Sequence, residues 1–173
     1  MRYVTLAPLV VALTFGACSG PHPLAPAADA LVADVTTQAA GPATPDFNLE
    51  VVLWPAGSDG FGLVKFRQPK DDAFIVHLDT WVRDLAPNTA YRLQRAVDAV
   101  LDGTCAGTDW LTLGQGLTPF PIVTNDMGRG TADLWRGVPA LPGMEFDIHF
   151  RVIEDGTGVV VLQSGCHQYV ISQ

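Results

Sequence analysis

The chain is short of positive charge and of cysteine, and several familiar catalytic signatures are missing. Ten Lys plus Arg stand against eighteen Asp plus Glu, a formal charge of −8 over 173 residues. If a cleaved leader carries Arg2 away, nine remain against eighteen, about −9. An acidic chain with no Lys/Arg cluster is poorly suited to a phosphate backbone, so nucleic acid is not an expected partner. Only three cysteines are present, and no C-x-x-C pair. That spacing argues against a zinc or redox role for them. There is no G-x-S-x-G, no H-E-x-x-H, no P-loop and no EF-hand loop. The G-x-G pairs at Gly60, Gly114 and Gly128 lack a third glycine and a following helix, and read as turns. Ser164 and His167 are three apart on a strand and so point to opposite faces, which argues against a dyad. No cofactor is expected, and the chain reads as a non-enzyme.

The N-terminus reads as an address. Met1-Arg2 is a small positive start, and Val4 to Phe15 is apolar but too short to span a membrane. It ends in Phe15-Gly16-Ala17-Cys18. These four residues resemble the lipobox of bacterial lipoproteins, in which two small residues precede a cysteine that is lipidated and becomes the new N-terminus. The resemblance implies a signal peptide over 1–17 and lipidation at Cys18. It also implies an exported protein, anchored by lipid to a membrane of the bacterial cell envelope and facing periplasm or exterior. The family usually has Leu where Phe15 stands. A plain export signal is the alternative, though ordinary signal peptidase prefers a small residue where Phe15 would lie. Residues 18–46 are rich in Pro, Ala and Thr, too poor in large apolar groups to order themselves, and read as a disordered tether. Once Cys18 is assigned to lipid, Cys105 and Cys166 remain as a pair in an oxidising compartment. A bridge between them closes about sixty residues and stabilises by about 4 kcal/mol on the chain-entropy view.

From residue 47 to 173 the pattern is that of strands. Phe146, Ile148, Phe150 and Val152 alternate with Asp147, His149 and Arg151, the period of a half-buried strand. Glu154 to Gly158 is a turn, and Val159 to Leu162 starts the return. Leu49, Val51 and Leu53 oppose Glu50, Val52 and Trp54. Val76, Leu78, Thr80 and Val82 oppose His77, Asp79, Trp81 and Arg83. Pro119 and Pro121 place 119–124 at an edge, because proline donates no ladder hydrogen bond. No stretch carries a sustained helical period; 91–101 is the one ambiguous segment. Thirteen Pro and seventeen Gly fit short strands and many turns.

Leu85-Ala86-Pro87-Asn88-Thr89-Ala90-Tyr91-Arg92-Leu93 resembles the L-x-P-x-T-x-Y-x-L stretch of fibronectin type III domains. The resemblance covers nine residues. It implies an all-β, immunoglobulin-like Greek-key β-sandwich, with Tyr91 as the corner whose hydroxyl bonds back to nearby backbone. The cysteine pair is not part of that pattern, so another two-sheet sandwich stays open. About seven to nine strands are expected.

Two constellations invite a functional reading. His77 and Asp79 share the outer face of one strand, and Asp147 and His149 that of another. If those strands are neighbours, the four groups converge on a metal such as zinc or copper, and a metal-dependent enzyme is the alternative function. The plain reading is a polar outer face with cross-strand pairs. The second constellation is Trp54, Trp81, Trp110 and Trp135, all on the polar phase of their strands. Rings among polar neighbours are what a sugar- or peptide-binding platform needs. The leading expectation is a non-catalytic binding or structural module of the cell envelope, with an envelope glycan or protein as ligand. Shifts of phase or covering loops are the plain alternative for the rings.

Overall fold

The computed structural model describes residues 47–69 and 73–172, so the expected signal peptide, the tether and Cys18 lie outside the described residues. In chain order the strands are β1 (Phe47–Pro55), β2 (Phe61–Gln68), β3 (Ile75–Arg83), β4 (Ala90–Asp98), β5 (Leu111–Thr112), β6 (Gly114–Gln115), β7 (Thr118–Pro119), β8 (Ile122–Val123), β9 (Gly130–Gly137), β10 (Glu145–Glu154), β11 (Val160–Gln163) and β12 (His167–Val170). The described residues contain no helix. The ambiguous segment 91–101 is strand only as far as Asp98, in β4, where Tyr91 and Leu93 find a core to enter; 99–101 lie beyond the strand.

The count of seven to nine strands is corrected to twelve. Four of the twelve are the two-residue pairs β5 to β8. They are too short to show an alternation, and Pro119 and Pro121 break the edge segment into two. Pairing follows one hydrogen-bonded path, β5-β4-β10-β11-β1-β2-β3-β9-β6-β7, with β12 also on β10 and β8 on β4. β5 pairs with β4, and β6 with β9, and only Leu113 separates these two short strands in sequence. The path therefore returns close to its start and nearly closes into a barrel.

β10 is the strand with the most partners. One edge pairs with β4 from Asp147 to Glu154. The other edge pairs first with β12 and then with β11. Where those two partners part, Ser164 fills the gap: its backbone N–H donates to the Phe150 carbonyl, and its hydroxyl accepts the Phe150 N–H at 2.9 Å. That use of the hydroxyl explains why Ser164 has a structural role.

The core forms where inward phases meet. Val51, Leu53, Val64, Phe66, Leu78 and Val82 come from β1, β2 and β3; Leu93, Ile148, Phe150, Val152 and Leu162 come from β4, β10 and β11. The Phe66 ring lies 6.1 Å from Phe150 and 4.7 Å from Tyr169. Each such buried ring stabilises by about 2–3 kcal/mol. Buried Gln68 is satisfied as burial requires. Its side-chain oxygen accepts from the Tyr169 hydroxyl and the Ser172 N–H, and its amide donates to the Ser172 carbonyl. Burial also pushes the Tyr169 phenol well above its ordinary pKa, so it stays a donor.

Tyr91 is 2% exposed and its hydroxyl accepts the Ala86 N–H at 3.1 Å, the bond that a tyrosine corner makes. Thr124 completes the turn by bonding the Ala86 and Thr89 carbonyls. Cys105 and Cys166 are joined as a disulfide with their Cα atoms 5.3 Å apart.

Candidate functional site

The outer face of β1, β2, β3 and β9 is built by the same alternation that fills the core. Register places Val52 beside Leu63, Leu63 beside Trp81 and Phe61 beside Arg83. The result is an aromatic strip. Trp54 meets Phe61 edge-on, with centroids 5.9 Å apart, and Phe61 meets Trp81 at 6.3 Å. The Arg83 guanidinium lies 5.1 Å from the centre of Phe61 and 5.7 Å from that of Trp81. Its Nε also lies 3.5 Å from the Asp84 carboxylate, so the rings and Asp84 together fix the guanidinium, and its terminal N–H groups are left to bond a ligand. Trp54 is 58% exposed, although a ring of that size is normally placed where it can be covered. Along the same face Arg67 pairs with Asp79 at 2.8 Å, which supplies polar groups at the border of the strip.

Of the four tryptophans, the structure brings Trp54 and Trp81 together, with Phe61 between them. Trp135 points to the same face but pairs with His77 near the other end of β3, while Trp81 pairs with Thr131. Its ring lies over Gly116, where a Cβ would sit 2.9 Å from the ring and φ is +67°. A residue with a side chain would meet both a ring and an unfavourable backbone region there. Trp110 belongs to the other half of the molecule. It is half-buried against His149, 4.6 Å between ring centres, and under the Arg151 guanidinium at 3.9 Å. The four therefore do not form one platform. Phe61 and Arg83 complete the strip, and neither is among the four tryptophans of the expected platform. Their signal was present: Phe61, Leu63 and Trp81 are large apolar residues at outward positions of adjacent strands.

The metal constellation is corrected. His77 and Asp79 lie on β3, whose partners are β2 and β9; Asp147 and His149 lie on β10, whose partners are β4, β11 and β12. The two pairs do not converge, and no cluster of three or more His, Cys, Asp or Glu fit to hold a metal occurs among the described residues. Three of the four groups also have other work. Asp79 holds Arg67. Asp147, 2% exposed, accepts the Gly103 N–H at 2.8 Å. His149 bonds the Gly107 carbonyl through Nε2 at 3.1 Å. Asp98 accepts the Gly107 N–H at 3.0 Å. The outer polar phase of β4 and β10 thus satisfies the backbone of the loop 99–110, which Cys105 ties to Cys166.

The sequence matches no protein-family model, and no curated protein is significantly similar to it. The functional reading rests on the site alone.

Proposed function

We propose that this is a non-catalytic, lipid-anchored protein of the bacterial cell envelope whose domain is a ligand-binding β-sandwich. The observation that carries the reading is the aromatic strip of exposed Trp54 and half-buried Phe61 and Trp81 beside Arg83. Exposed rings stack on the apolar faces of sugar rings, and charged neighbours such as Arg67 and Asp79 bond hydroxyl groups. The ligand class is an envelope glycan, with the acidic domain presented away from the membrane on residues 18–46. Lipidation at Cys18 follows from Phe15-Gly16-Ala17-Cys18. Greek-key sandwich packing is supported by the contacts of Phe66 on β2 with Phe150 on β10 and Tyr169 on β12, and by the Tyr91–Ala86 bond.

The experiment is co-sedimentation of the purified protein with an insoluble envelope-glycan fraction, wild type against Trp54→Ala/Trp81→Ala. Glycan-dependent retention that falls at least tenfold in the double variant is the expected result. Retention unchanged by the double variant, or none in the wild type, overturns the reading. Displacement of the wild type by envelope protein and not by soluble glycan would name a protein ligand instead. Mass analysis of the native protein checks the anchor: absence of acyl chains on Cys18 would refute it.

A further inference from the structure

Two arginines occupy inward positions that the alternation reserves for apolar side chains. Arg95 is in phase with buried Tyr91 and Leu93 on β4, and Arg136 with buried Ala132 and Leu134 on β9. The two strands lie in opposite halves of the hydrogen-bonded path, yet both side chains line one apolar cavity of about 50 Å³. Its walls include Phe66, Val76, Leu78, Phe146, Phe150 and Tyr169. Arg136, Gly137, Val138 and Pro139 also line a wider groove of about 330 Å³ against Phe74 and Leu117. One wall of that groove is held by a bond from the Val138 N–H to the Phe74 carbonyl at 2.8 Å.

No ion pair joins either guanidinium to a carboxylate among the described residues. Burial, with the charge of Arg136 added, holds the Arg95 pKa below its ordinary value. Two like charges facing one greasy recess raise each other's energy, and a single anion between them relieves both. Guanidinium forks match a carboxylate in geometry as well as charge.

We infer that the recess between Arg95 and Arg136 is a binding site for a small amphipathic carboxylate, its head held by the two guanidinium groups and its apolar part lying against the aromatic wall and the adjoining groove. The site is separate from the outer strip: β2 and β3 give it Phe66, Val76 and Leu78 from their inner side, and β4, β9, β10 and β12 supply Arg95, Arg136, Phe146, Phe150 and Tyr169.

The test is calorimetric titration of the full-length protein with sodium hexanoate, with acetate (head without tail) and hexanol (tail without head) as controls. Saturable hexanoate binding is expected, at least tenfold tighter than either control and at least tenfold weaker in Arg95→Met and in Arg136→Met. Phenylglyoxal labelling of the wild type gives a readout that needs no variant: hexanoate should protect Arg95 and Arg136 and leave Arg83 and Arg129 reactive. Absent saturation, equal affinity in the arginine variants, acetate binding as tightly as hexanoate, or labelling that hexanoate does not slow would each overturn the assignment.

Discussion

The two outer faces of this domain use similar residue types to opposite ends. On β1, β2 and β3 Trp54 stands open at the end of a ring strip whose other members, Phe61 and Trp81, are half-buried beside Arg83. On β4 and β10 an equally good ring-and-cation pair, Trp110 under Arg151, lies at the end of the loop 99–110 that His149, Asp147 and Asp98 hold to the sheet. The difference teaches that a tryptophan on the polar phase of a strand does not by itself mark a binding surface. What separates the two faces is a covering segment and the staple that keeps it there. Where the polar neighbours are spent on a loop's backbone, the ring is structural. Where they pair only with each other, as Arg67 does with Asp79, the ring is left for something else.

The comparison can be broken most forcefully at the staple. Cys105→Ser/Cys166→Ser should lower stability by about 4 kcal/mol, for a bridge between residues 61 apart in sequence. It should also raise the exposure of Trp110 while leaving that of Trp54 unchanged. Urea midpoints and emission maxima read both effects, and a blue-shifted Trp110 signal that survives the double change would show that the loop needs no staple. Free thiol in the denatured wild-type domain would argue against the bridge itself.

Trp110→Ala comes next. It removes the ring over His149 and the cation–π contact with Arg151, and should cost about 2 kcal/mol. Trp54→Ala, on the open face, should cost about 0.5 kcal/mol or less, because its ring is mostly in water already. Equal costs for the two would erase the distinction between the faces. Tyr91→Phe, common to neither face, should cost about 1–1.5 kcal/mol by leaving the Ala86 N–H without its acceptor. It calibrates the scale on which the others are read.

The smallest effect is a pH dependence beside the staple. Burial lowers the pKa of His167 from 6.5, and its Nε2 has no partner. The folded-state pKa is thus the lower one, and the unfolded chain takes up the proton first as pH falls. Stability from the neutral ring is complete above 6.5 and is lost as pH drops from there towards the folded-state value. His167→Gln should flatten the urea midpoint against pH in that window. A profile with the same slope in the variant would assign the dependence to other groups.

Much of the framework was legible in the residues. The alternations over β3 and β10 gave their inner and outer faces, and the Leu85–Leu93 stretch pointed to the bond that Tyr91 makes. The cysteine pair followed from counting. Three things were not legible, each for a physical reason. The short pairs β5 to β8 carry no period, since two residues cannot alternate. The separation of His77 and Asp79 from Asp147 and His149 depends on strand order, which a one-dimensional pattern does not hold. The fate of Trp110 depends on where the loop before it lies. Arg95 and Arg136 are a different case, because a charge on an apolar phase is visible in the sequence, but only the meeting of β4 and β9 at one cavity gives it meaning.

The most direct measurement is acrylamide quenching of two single-tryptophan proteins, one keeping only Trp54 and the other only Trp110, with the remaining tryptophans replaced by Phe. The account predicts a quenching constant several-fold larger for Trp54, and convergence of the two on reduction of the Cys105–Cys166 bridge. Equal quenching in the oxidised proteins, or stronger quenching of Trp110, would contradict it.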